Sequence, residues 1–138
     1  MSKISVTEEI ISEFEGKLSW SYAVKNRAEI KPLPAVYAIV STKEFSRVLG
    51  VTRILYIGKT KCLGGKSDRA RLYAYCYPSG AHGRLMKSRI ENLCELGWDI
   101  NLYWRHVESE EDARTQESNF LNQHLEDHLE FPPFNGKK

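Results

Sequence analysis

Glu117 is a carboxylate on the apolar stripe of a helix. It stands three and four residues before Phe120 and Leu121, on the stripe that also carries Ala113, His124 and Leu125, so helical periodicity turns it toward the core. Such a carboxylate is costly unless it is paired or bound to a metal ion; the ordinary alternative is a stripe-edge glutamate that reaches solvent or an arginine. Arg71 poses the same question among Leu72, Tyr73, Ala74 and Tyr77, with Tyr75 one turn later; there the ordinary alternative is a surface arginine. Two strings, Gly58-Lys59-Thr60 and Gly65-Lys66-Ser67, look like the end of a phosphate-binding loop. Both fail, because the glycine required five positions before the first of each string is replaced by Arg53 and Thr60.

The elements that must hold these residues follow from periodicity and breakers. Ile10, Ile11, Phe14 and Leu18 mark one helical face starting at a Thr7 cap and stopping near Gly16 to Trp20. Lys31-Pro32-Leu33-Pro34 breaks any helix, and Ala35 to Val40 reads as a buried strand, followed by a second at Arg53 to Ile57. Ser67 is expected to cap a helix through Arg71 and Tyr75 toward Tyr77, ended by Pro78-Ser79-Gly80. Leu85, Met86, Ile90 and Leu93 form another amphipathic helix closed by Gly97, and Ile100, Leu102 and Trp104 alternate as a third strand. Ser109 caps a last helix with acidic residues in its first turn, terminated by Pro132-Pro133. The expected class is α+β, a small three-stranded antiparallel sheet flanked by helices in the order αββααβα. One compact domain is expected, with residues 1–30 a helical extension and 31–138 the catalytic unit.

Ala35-Val36-Tyr37 on the first strand and Tyr56-Ile57-Gly58 ending the second resemble the two half-motifs of the GIY-YIG nucleases. The series continues in register with Arg71 and, four on, Tyr75; His82 after Gly80; Glu117 in the last helix; and Asn135 beyond Pro133-Phe134. Ala35 and Val36 replace the motif's first Gly and Ile, and Tyr75 stands where a histidine is often found. The resemblance implies a metal-dependent endonuclease that hydrolyses phosphodiester bonds, DNA being the favoured substrate. It implies that Glu117 holds a single Mg2+ or Mn2+, whose preference for hard oxygen suits a lone carboxylate completed by water and phosphate oxygens. Arg71, always charged and fork-shaped, would clamp the scissile phosphate. Tyr37 and Tyr56 would place phenols near the attacking water, with Tyr37 the expected proton acceptor. A phenol of pKa about 10 is a poor base at neutral pH, so it needs help from Lys59, Arg71 or the bound phosphate, with His82 or Tyr75 as relay. Asn135 would fix backbone or Tyr37 by hydrogen bonds; otherwise it is a turn residue before Gly136.

Composition bounds the partners. A net charge of +2 across 138 residues carries no strong field toward a polyanion, yet the stretch from Arg53 to Arg89 holds nine Lys or Arg against Asp68, and Glu108 to Glu130 holds eight acids against Arg114. Lys59, Lys61, Lys66, Arg69, Arg84, Lys87 and Arg89 are candidate contacts to a nucleic-acid backbone, with Tyr73, Tyr75 or Tyr77 for sugar or base contacts. The small reading surface makes a homodimer or a partner protein the expected source of specificity. Cys62, Cys76 and Cys94 form neither a disulfide framework nor a zinc motif and are expected to be buried or idle thiols. No apolar run approaches the roughly 20 residues of a membrane span, so a cytoplasmic protein is expected. The rival readings are a catalytically silent nucleic-acid-binding module of the same fold and a protein-interaction domain whose basic segment meets an acidic partner.

Overall fold

The computed structural model describes residues 6–78 and 80–135; Ser79, Gly136 and the first five residues of the charged N-terminus lie outside them. Its elements are α1 (Val6–Ser12), β1 (Gly16–Ser19), α2 (Trp20–Lys25), β2 (Ala35–Ser46), β3 (Val51–Thr60), α3 (Arg71–Cys76), α4 (Ala81–Glu95), β4 (Ile100–His106) and α5 (Glu110–His128). A single 3-10 turn, Arg27–Glu29, follows α2.

The continuous apolar run of β2 is explained by its place at the centre of the sheet. The strand order is β1-β4-β2-β3, every pair antiparallel, and helices cover both faces. Side chains alternate across the pleat: Ala35, Tyr37 and Ile39 enter a core with α2, α3 and α4, whereas Val36, Ala38 and Val40 enter another with α1 and α5. Burial on both faces needs the unbroken hydrophobic string that sequence showed.

The α+β class holds, but the sheet has four strands where three were expected. Gly16, read as a helix stop, is a strand residue opposite Trp104, and a Cβ there would lie 2.1 Å from Trp104 Cε2. Only glycine leaves room for the indole, so Gly16–Ser19 joins the sheet through a contact distant in sequence. The segment 1–30 therefore supplies a strand as well as helices, and Ser19 caps the next helix by accepting from Tyr22 N–H at 3.4 Å. The first helix is described from Val6, so Thr7 lies within it. The expected Ser67 cap is likewise corrected: Ser67 Oγ accepts from Arg69 N–H at 3.0 Å inside a turn, and α3 begins four residues later at Arg71. Ser109 caps α5 as expected, accepting from Asp112 N–H at 3.1 Å.

The far end of α5 is tied to the β2–β3 hairpin by histidines. His124 is fully buried, with Nδ1 2.8 Å from Glu130 O and Nε2 3.1 Å from Thr52 Oγ1. Its ring packs 4.4 Å from that of His128, whose Nδ1 lies 2.8 Å from Leu49 O, and Arg47 pairs with Glu130 alongside. Burial, reinforced by His128 and Arg47 and opposed by the Glu130 carbonyl and Asp127, pulls the His124 pKa from 6.5 down to about 4. The unfolded chain thus takes up its proton first as pH falls, and stability is expected to drop by about 3 kcal/mol between pH 6.5 and about 4, with no further loss from this group below that. Urea unfolding at pH 7.5 and 4.5 checks this, since the drop should shrink in His124→Gln.

Candidate active site

The cluster is assembled on the β2–β3 pair. Tyr37 stands directly opposite Gly58, and Tyr56 opposite Ile39, so both phenols lie on the α3–α4 side of the sheet. A register shift leaves Leu55 as an extra residue between the Ile39–Tyr56 and Val40–Ile54 pairs, a bulge that puts Leu55 beside Tyr56 in the same core. A Cβ on Gly58 would sit 2.6 Å from Tyr56 Cε2 and 2.7 Å from Tyr37 Cζ. The glycine is therefore a requirement of the two rings, not merely a strand end.

Tyr37 is 1% exposed and its hydroxyl lies 2.7 Å from that of Tyr75, the α3 residue one turn after Arg71. Trp20 closes Tyr75 from behind with an edge contact at 5.2 Å. Burial, followed by the neighbouring Tyr75 and Tyr56 phenols, pushes the Tyr37 pKa well above 10, and Arg71 only partly opposes the rise. Burial raises Tyr75 too. Tyr37, the expected proton acceptor, is thus sealed from solvent, and burial disfavours its phenolate form. Tyr56 is half-buried, its ring 6.0 Å from Tyr37 and 5.7 Å from the exposed His82 of α4. Burial raises its pKa as well, with Arg71 pulling down and Glu117 pushing up. Glu117, half-buried on α5, is thereby placed within electrostatic reach of Tyr56.

Arg71, the first residue of α3, interacts electrostatically with all three tyrosines, and its Nε is a buried donor with no hydrogen-bond partner among the described residues. Although the His82 residue is exposed, its pKa is lowered from the ordinary value, first by partial desolvation of the ring and then by Arg71 and Arg89. Asn135 acts at a distance from the phenols. Its Oδ1 accepts from Ile57 N–H at 3.0 Å and its Nδ2 donates to Ile57 O at 2.8 Å, while Phe134 N–H donates to Leu55 O at 2.9 Å. This side-chain clamp holds the outer edge of β3 between Tyr56 and Gly58, the backbone role among those expected.

The basic residues divide. Lys59, Lys61 and Arg69 line one cleft with Arg71. Arg84 and Lys87 line a different groove along α4, where Lys87 pairs with Glu91 at 3.7 Å. Lys66 is exposed in the loop, and Arg89 lies over the Phe134 ring at 5.2 Å. The Tyr73 and Tyr77 rings pack at a tilt with centroids 4.9 Å apart, and Arg27 lies over Tyr73. The cysteines are free, Cys94 exposed and the other two half-buried. Sequence reasoning passed over Glu110, which pairs with Lys59 at 4.0 Å; its place seven residues before Glu117, on the same helical face, was the available signal.

Among the described residues no three His, Cys, Asp or Glu side chains gather into a metal site. Near Tyr56 the described residues offer the Glu117 carboxylate, an oxygen donor of the kind a hard cation takes, and the His82 imidazole. Nor is any described helix long and apolar enough to cross a membrane. No family model, curated protein or solved structure matches this chain.

Proposed function

We propose that the chain is a divalent-metal-dependent endonuclease of the GIY-YIG type, acting on nucleic acid, DNA first, in the reducing cytoplasm that three free cysteines suit. The observation that carries this reading is the convergence of Tyr37, Tyr56, Tyr75, Arg71, His82 and Glu117 from five different elements, with the Arg71 Nε buried and unpartnered. An unsatisfied buried guanidinium donor is costly unless a ligand completes it, and a phosphate oxygen matches its geometry.

In this reading Glu117 would hold one Mg2+ or Mn2+, which when bound supplies charge stabilisation at the phosphate. Arg71 clamps a non-bridging oxygen. Tyr56 orients the attacking water by hydrogen bonding, and His82 beside it supplies an imidazole nitrogen that can relay a proton. Tyr37 and Tyr75 brace Tyr56 and Arg71 from within the core. One feature favours the silent binding module instead: burial holds the three phenols protonated.

The deciding experiment incubates the purified protein with supercoiled plasmid, single-stranded and branched DNA in Mg2+, Mn2+ or EDTA. Cleavage in either metal and not in EDTA is expected. Tight binding with no cleavage of any substrate would establish the silent module.

A further inference from the structure

Lys59 belongs to the α5 side of the sheet and Arg71 to the opposite helical layer, yet both line one polar cleft of about 240 Å³ at the end of β3. The other charged walls are Lys61, Asp68, Arg69 and the first-turn residue of α5, Glu110. Four cations against two carboxylates leave the cleft net positive. Glu110 Oε1 sits 4.0 Å from Lys59 Nζ, with both side chains partly exposed, so the pair is loose and easily exchanged. Arg71 is shared between this cleft and the tyrosine cluster. A free phosphate satisfies the cleft alone; a chain of phosphates occupies the cleft and the cluster together.

We propose that this cleft seats the phosphate next to the reacting one on a nucleic-acid strand, with Glu110 serving as its counter-ion in the free protein and releasing Lys59 when the strand binds. The inference rests on the nuclease reading and adds a second anchor to it. Glu110 left beside an incoming phosphate repels it, so this one carboxylate tempers affinity while Lys59, Lys61 and Arg69 supply it.

The test is anisotropy of a short fluorescent DNA duplex in EDTA, where no cleavage intervenes. Glu110→Gln is expected to bind about fivefold tighter at low salt, and Lys59→Gln and Arg69→Gln about tenfold weaker with a shallower salt dependence. Glu111→Gln, in the same helical turn but outside the cleft, is expected to bind as wild type. Equal tightening by Glu110→Gln and Glu111→Gln would reduce the effect to net charge and overturn the proposal. So would unchanged binding in every cleft variant, or full displacement of the duplex by low millimolar inorganic phosphate. The two readings fail separately. Shifted binding by the cleft variants with no cleavage by wild type removes the nuclease and keeps the cleft; cleavage by wild type with unshifted variants removes the cleft alone.

Discussion

Glu117→Gln is expected to lower the rate of metal-dependent plasmid cleavage by about a thousandfold, the scale on which loss of a preorganised electrostatic group is felt. The amide keeps the size and the helical stripe position but loses the charge that would hold a cation. Stability should change little, because the side chain is only half-buried and the amide keeps its size. Removing that negative charge also removes its upward push on the Tyr56 phenol. Single-turnover cleavage across a Mg2+ titration, with urea unfolding in parallel, separates these effects. Wild-type rates from Glu117→Gln would mean that the carboxylate holds no ion used in the reaction.

Gly58→Ala should damage both stability and activity. The added methyl would stand 2.6 Å from Tyr56 Cε2 and 2.8 Å from the Tyr37 hydroxyl, and Tyr37 is packed on all sides at 1% exposure. The rings must shift or the β2–β3 pairing must open, and overpacking of this kind costs about 1–3 kcal/mol. A displaced Tyr56 no longer orients water against a phosphate held by Arg71, and misplacement by about 1 Å is worth about a hundredfold in rate. Urea unfolding gives the first quantity and single-turnover cleavage the second. A variant of unaltered stability and rate would show that the phenols are not positioned by the backbone beneath them.

Much of this arrangement was legible in the chain itself. Two strands with a shared tyrosine spacing, an arginine-bearing helix and a glutamate on an apolar stripe are local patterns, governed by periods of two and 3.6 residues that depend only on neighbours along the backbone. The α5 cap at Ser109 and the buried run of β2 were readable for the same reason. What the chain alone could not disclose is whatever depends on residues far apart in sequence. Gly16 reads as a helix stop until Trp104 is seen against it, which is why the fourth strand was missed. Tyr37 reads as one phenol of a strand; only Tyr75 and the core around it show that it is buried and that its pKa is raised. Asn135 reads as a hydrogen-bonding residue that fixes either backbone or Tyr37, and only the fold shows that its partner is the Ile57 backbone, 78 positions earlier. The sequence by itself determined which elements form and which side chains share a face. Tertiary structure alone decided which of those faces are desolvated and which charges meet, because burial and Coulomb energy are set by distance in space.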